Sequence, residues 1–219
     1  RMPELFQTLR GMIDQARRTH KPTGKYLILG SASIDLLKQS SESLAGRIEY
    51  IAMTPFNLLE VSANQEPQYE NQLWVRGGFP GSYLASLVFR NNFIQTYLER
   101  DIPQFGFRIP AETLERFWTM LAYNQGSLLN ASRLAAGLAV SVPTIGKYVD
   151  LLVDLLLVRR LKPYQANIAK RQIKAPKIYI RDSGLVHALL GLHTYNNLVA
   201  HPVVGGSFEG YVIENIVSM

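Results

Sequence analysis

The segment from Ser127 to Ser183 constrains this chain most, because it sets two helical patterns, a tight turn and two short apolar runs around a long basic loop in one order. Asn130 is suited to N-cap a first short helix through Leu138, its side-chain oxygen accepting from a backbone N–H that lacks an intrahelical partner. Ala139-Val140-Ser141 reads as the turn, and Ser141 as the N-cap of a longer helix from Val142 to about Leu157. Pro143 is tolerated there because first-turn amides have no helical acceptor. Ile145, Val149, Leu152 and Leu156 recur at helical spacing and form the expected buried stripe. Thr144, Lys147, Tyr148 and Asp150 fall toward the open side. A strand, a basic loop and a second strand follow. That is the element order of a winged helix-turn-helix, whose second helix presents short polar and basic groups to a DNA groove.

From Arg159 to Arg181 the chain carries Arg159, Arg160, Lys162, Lys170, Arg171, Lys174, Lys177 and Arg181, with no Asp or Glu between them. Such a local density of positive charge favours a polyanion. The plainer alternative is a solvated basic loop beside a helix pair that holds domains together. Winged helices also dock on proteins, so a protein partner or a second copy of the chain stands as the rival reading.

At 219 residues and 47% hydrophobic content the chain is long enough for one or two cored domains. Its net charge of +6 is smaller than the charge of the basic loop and its flanks alone. The absence of cysteine excludes disulfides, thiolate catalysis and cysteine-ligated metal sites. Neither the N-terminal residues nor the run from Leu151 to Val158, interrupted by Asp154, has the uninterrupted apolar length of a signal peptide or a membrane span. A soluble, cytoplasmic protein with no membrane partner is expected. The four histidines are spaced against any shared helical face, so no metal site is expected.

Earlier in the chain, Leu5, Leu9, Met12, Ile13 and Ala16 mark one face of a helix. Lys25–Leu29 and Ile48–Met53 read as strands, the first of the kind buried on both faces of a parallel sheet. Gly30-Ser31-Ala32-Ser33 places hydroxyls at that strand's carboxyl end, where open α/β sheets hold ligands. From the residues alone, Ser31 and Ser33 cap a helix around Ile34 to Lys38, and Arg47 pairs with Glu42 or Glu49. Pro67 and its polar neighbours mark a linker. Gly77 and Gly78 read as a structural turn. An amphipathic stretch from Tyr83 to Arg100 offers Leu84, Leu87, Val88, Ile94, Tyr97 and Leu98 to a core, and a helix from Pro110 to Asn124 offers Leu114, Phe117, Trp118 and Leu121. Asp182 reads as an N-cap rather than a catalytic partner of Tyr179.

The runs YLILGSASIDLLKQSSESLAGRIEYIAMTPFNLLEV, LWVRGGFPGSYL, YLERDI and PKIYIRDSGLVHALLG, taken in this order, resemble a family of prokaryotic AAA-type P-loop ATPases that carry a C-terminal domain of unknown function. The resemblance implies that this chain starts just after the Walker B strand. It places Ser31 or Ser33 at a polar sensor for the γ-phosphate and Arg47 where an arginine reaches a nucleotide. It also makes residues 205–215 look like the opening helix of a restriction-endonuclease-like domain, in which Glu209 or Glu214 would assist a metal site. No G-x-x-x-x-G-K-[ST] loop occurs anywhere in the sequence. ATP and Mg²⁺ are therefore assigned to the parent ATPase, with no cofactor, ATP hydrolysis or nuclease activity expected of this piece.

The sequence is thus read as an α-rich α/β chain: a partial P-loop ATPase core at 1–61, a linker at 62–69, a helical region at 70–126, a winged helix-turn-helix at 127–183, and the start of a third domain at 184–219. No catalytic residue is assigned within it. Thr144, Lys147, Arg159, Arg160, Lys170, Arg171 and Lys174 are the expected contacts to DNA, bound without sequence preference.

Overall fold

The computed structural model describes residues 5–19, 24–29, 44–51, 53–63, 69–84, 87–104, 109–164 and 175–218. The chain forms two compact units, Arg1–Met53 and Thr54–Met219. In the first, α1 (Leu5–Arg18) buries Phe6 and Leu9 with Leu44, and Ile13 and Ile48 pack against them. Residues 24–29 and 48–51 have no regular secondary structure and belong to no sheet. Leu27 and Leu29 are each 80% exposed or more, which corrects the expectation that Lys25–Leu29 is a strand buried on both faces of a parallel sheet. Such strands are covered only when neighbouring strands and flanking helices are present, and among the described residues neither segment has a strand partner.

The second unit holds the main core. Its elements in order are α2 (Leu58–Ser62), α3 (Tyr69–Arg76), α4 (Pro80–Leu84), α5 (Leu87–Thr96), α6 (Ala111–Tyr123), α7 (Ala131–Leu138), α8 (Val142–Asp154), β1 (Val158–Leu161), β2 (Lys177–Ile180), α9 (Ser183–Leu189), α10 (Tyr195–Val199) and α11 (Val204–Ser218). After α5 the helix widens into a π turn at Tyr97–Asp101 before a last turn, Ile102–Gln104. Pro103 accounts for the widening, since its ring would crowd the Glu99 carbonyl of a regular helix. The amphipathic stretch Tyr83–Arg100 thus runs from the end of α4 through α5 into the π turn; Ile94 and Leu98 are buried as expected, while Leu84 is 71% exposed.

Leu114, Phe117, Trp118 and Leu121 of α6 are buried as their spacing predicts, against Leu134, Leu138, Ile145, Val149 and Leu152 from α7 and α8. The axes of α7 and α8 meet at 102°, within the range of helix-turn-helix pairs. Asn130 caps α7 by accepting from Arg133 N–H at 2.9 Å, and Ser141 caps α8 by accepting from Thr144 N–H. Between the helices Ala139 takes a left-handed conformation with φ of 54°. Helix α8 stops at Asp154, short of the expected Leu157. The helical phase is lost there, so Leu156 turns outward at φ 59° while Leu155 and Leu157 go into the core.

Strands β1 and β2 pair antiparallel from Val158 with Ile180 to Leu161 with Lys177. A bridge between Leu128 and Lys177 adds the chain ahead of α7 as a third, one-residue member on the other edge of β2. Gln125 extends this pairing, donating to the Ile180 carbonyl at 3.0 Å and accepting from its N–H at 2.8 Å. Helix α11 lies directly on Gln125, because a side chain at Gly206 would overlap the Gln125 carbonyl. His187, fully buried on α9, joins this helix to the rest through Ser207 Oγ at 2.7 Å and the Val75 carbonyl at 2.9 Å. Burial pushes the imidazole pKa down to about 4, so the ring is neutral and structural.

Candidate nucleic-acid interface

The polar side of the α7–α8 pair is short. On α8, Lys147 is exposed, while Thr144 is half-buried and shares a 2.8 Å hydrogen bond with Ser141. Tyr148, expected on the open side, is half-buried and meets Phe117 edge-on at 5.6 Å. Asp150 and Asp154 lie on the same exposed stripe as Lys147, so α8 itself presents no net positive charge.

In β1 the two adjacent arginines part company. Successive strand residues point to opposite faces, which sends Arg159 toward α11 and Arg160 back toward α8. Arg159 grips Glu214 with Nε and with Nη2, the latter at 3.0 Å. Arg181, just past β2, donates Nε to Glu214 Oε2 at 2.9 Å. Hydrogen bonding to Glu214 holds the Arg159 pKa above its ordinary value. Arg160 pairs with Asp150. Lys177, at the start of β2, pairs with Glu209 at 2.8 Å. Four of the eight cations counted in this region of the sequence therefore already have carboxylate partners within the chain.

Of the rest, Lys162 is exposed where the chain leaves β1. Lys170, Arg171 and Lys174 lie outside the described residues, within the 162–176 connection that β1 and β2 close at Leu161 and Lys177. That connection contains no acidic residue, and Tyr164 within it is 92% exposed.

Ser31 and Ser33 also lie outside the described residues. Arg47 is found in a two-point pair with Asp14, at 2.7 and 3.1 Å, and Glu42 lies outside the described residues. The Arg47 guanidinium holds the Asp14 pKa below the usual carboxylate value. Glu209 and Glu214, the tail glutamates considered for a metal, are the hairpin's ion-pair partners instead. Among the described residues no group of three His, Asp or Glu converges on a point. A small cleft lies nearby, lined by Phe56, Leu73, Arg181, Asp182, Tyr211 and Glu214.

Sequence reasoning missed Asp150, Glu209 and Glu214 as partners of the basic residues. Strand alternation could have separated Arg159 from Arg160. Nothing in the spacing of Glu209 and Glu214, five apart on one helix and so off a common face, pointed to a shared hairpin.

A family described as a domain of unknown function, DUF8612, matches residues 68–196, from α3 through the helix pair and hairpin into α10. The chain belongs to this family. The DUF8612 region thus contains the whole basic connection and both strands, while α11 with its two glutamates lies beyond it. Residues 1–62 match the AAA domain family, which relates this part to AAA-type ATPases. Uncharacterised proteins of Mycobacterium tuberculosis and Mycobacterium bovis are each 44% identical over 224 residues, covering 100% of this chain and 49% of the relative. The chain therefore spans about half the length of these relatives. No solved structure matches it. Among the described residues no single helix is long and apolar enough to cross a membrane.

Proposed function

We propose that this chain is the part of an AAA-family ATPase that binds nucleic acid, through a winged helix-turn-helix whose wing is the connection between β1 and β2. The observation that carries the reading is the hairpin itself. It follows a capped helix pair crossing at 102°, and it closes a connection bearing Lys162, Lys170, Arg171 and Lys174 without a single acidic residue. Arg159 and Arg160, committed to Glu214 and Asp150, position the strands in this reading, and Lys147 supplies a basic contact from α8. Binding to duplex DNA is then electrostatic, in the cytoplasm, without base preference, and steeply salt-dependent.

ATP and Mg²⁺ enter the proposal as ligands of the longer protein. This chain has no phosphate loop and its Arg47 is held by Asp14, so it is expected not to hydrolyse ATP alone.

The test is gel retardation of duplex DNA by the chain and by the variant Lys170→Ala, Arg171→Ala, Lys174→Ala. Loss of three phosphate contacts should weaken binding by roughly tenfold or more at low salt. Unchanged retardation overturns the assignment of the wing. A second reading, docking on a protein or on another subunit, is favoured by Val142, 45% exposed at the start of α8, and by the acidic residues Asp150 and Asp154 along it. Salt-insensitive protein capture with no DNA retention would select that reading.

A further inference from the structure

The two α11 carboxylates hold the hairpin in different ways. Glu214 is 15% exposed and locked between two arginines, themselves 23% and 13% exposed. Glu209 and Lys177 are 45% and 41% exposed and pair at 2.8 Å, with the Tyr179 hydroxyl interacting with both. An exposed pair of this kind contributes well under ~1 kcal/mol, so a phosphate can displace the carboxylate without unfolding anything. Position matters as much as exposure. Lys177 is the first residue of β2 and faces Leu161 across the ladder, which puts it at the base of the basic connection, on the side of α11.

We propose that Lys177 is a further phosphate-binding residue of the wing, and that Glu209 on α11 is the intramolecular carboxylate that competes with nucleic acid for it. This rests on the nucleic-acid reading above. It adds that α11, outside the DUF8612 match, sets the affinity of the wing by occupying one of its cations. Any displacement of Glu209 from Lys177 then raises affinity for a polyanion, while the Glu214 clamp keeps the helix in place.

Anisotropy titrations with labelled mixed-sequence duplex DNA, at several salt concentrations, test this with Glu209→Gln, Lys177→Ala and the double variant. Glu209→Gln should tighten binding about threefold to tenfold at low salt and steepen the salt slope by about 0.9, one extra phosphate contact. In the Lys177→Ala background the same substitution should change nothing. Thermal unfolding of the single variants should stay at the wild-type midpoint, since the pair is exposed. Wild type that binds DNA, with Glu209→Gln no tighter or equally tighter without Lys177, overturns the inference and leaves the wing intact. Failure of both wild type and Glu209→Gln to bind overturns the nucleic-acid reading itself.

Discussion

Gly184→Ala is expected to lower the unfolding free energy of the second unit by about 3 kcal/mol, the upper part of the range for overpacking a tight interior. Gly184 opens α9 against the backbone of Arg76 and Gly77, and a Cβ there would overlap the Arg76 carbonyl while standing 2.8 Å from Gly77 N. Neither neighbour is free to move. The Arg76 carbonyl also accepts from Ser82 Oγ, and Gly77 holds φ at 80°. Asp182, the α9 cap, accepts from Leu185 N–H at 2.9 Å and from Gly78 N–H at 2.8 Å. Pushing α9 away breaks the second bond and leaves a buried carboxylate less satisfied. Burial already raises the Asp182 pKa against those hydrogen bonds. A methyl added at Gly146, within α8, would meet nothing within 4 Å, so Gly146→Ala should be neutral or stabilising by up to ~1 kcal/mol through helix propensity. Denaturant midpoints of the two variants should move in opposite directions or differ by the full amount.

The second large effect is expected at Glu214. Replacing it by alanine leaves Arg159 and Arg181 facing each other, 23% and 13% exposed, with no carboxylate between them. Removing one partner from such a partly buried cluster costs about 2 to 3 kcal/mol, more than the intact cluster contributes, because the remaining charges stay partly desolvated. Arg159→Ala should cost less, since Glu214 keeps Arg181. Combining Glu214→Ala with Arg159→Ala should recover part of the loss, and urea denaturation of the three variants reads this non-additivity directly. If Glu214→Ala costs no more than the exposed Glu209→Ala, α11 is not clamped to the hairpin as described.

Much of the second unit was legible because its signals are local. Caps at Asn130, Ser141 and Asp182, the periodic face of α6 and the glycines at the α3–α4 turn each act within a few residues. Leu156 escaped because a helix end that comes early reverses what its spacing implies. The first unit was misjudged for a different reason. An apolar run such as Lys25–Leu29 specifies a buried strand only in company, and among the described residues it has no strand partner. At the interface, charge counting found the basic region but could not assign partners. Arg159 and Arg160 are neighbours in sequence and opposites in space, and Glu214 reaches Arg159 across 55 positions of chain.

The central claim is that the positive charge of the wing meets a polyanion, and the dependence of duplex DNA affinity on salt measures it most directly. With Lys147, Lys162, Lys170, Arg171 and Lys174 as contacts, the logarithm of affinity should fall linearly with the logarithm of salt at a slope of about −4 to −5. A flat dependence, or no association at low salt, would contradict the account and leave the hairpin as a scaffold on which α11 is fastened.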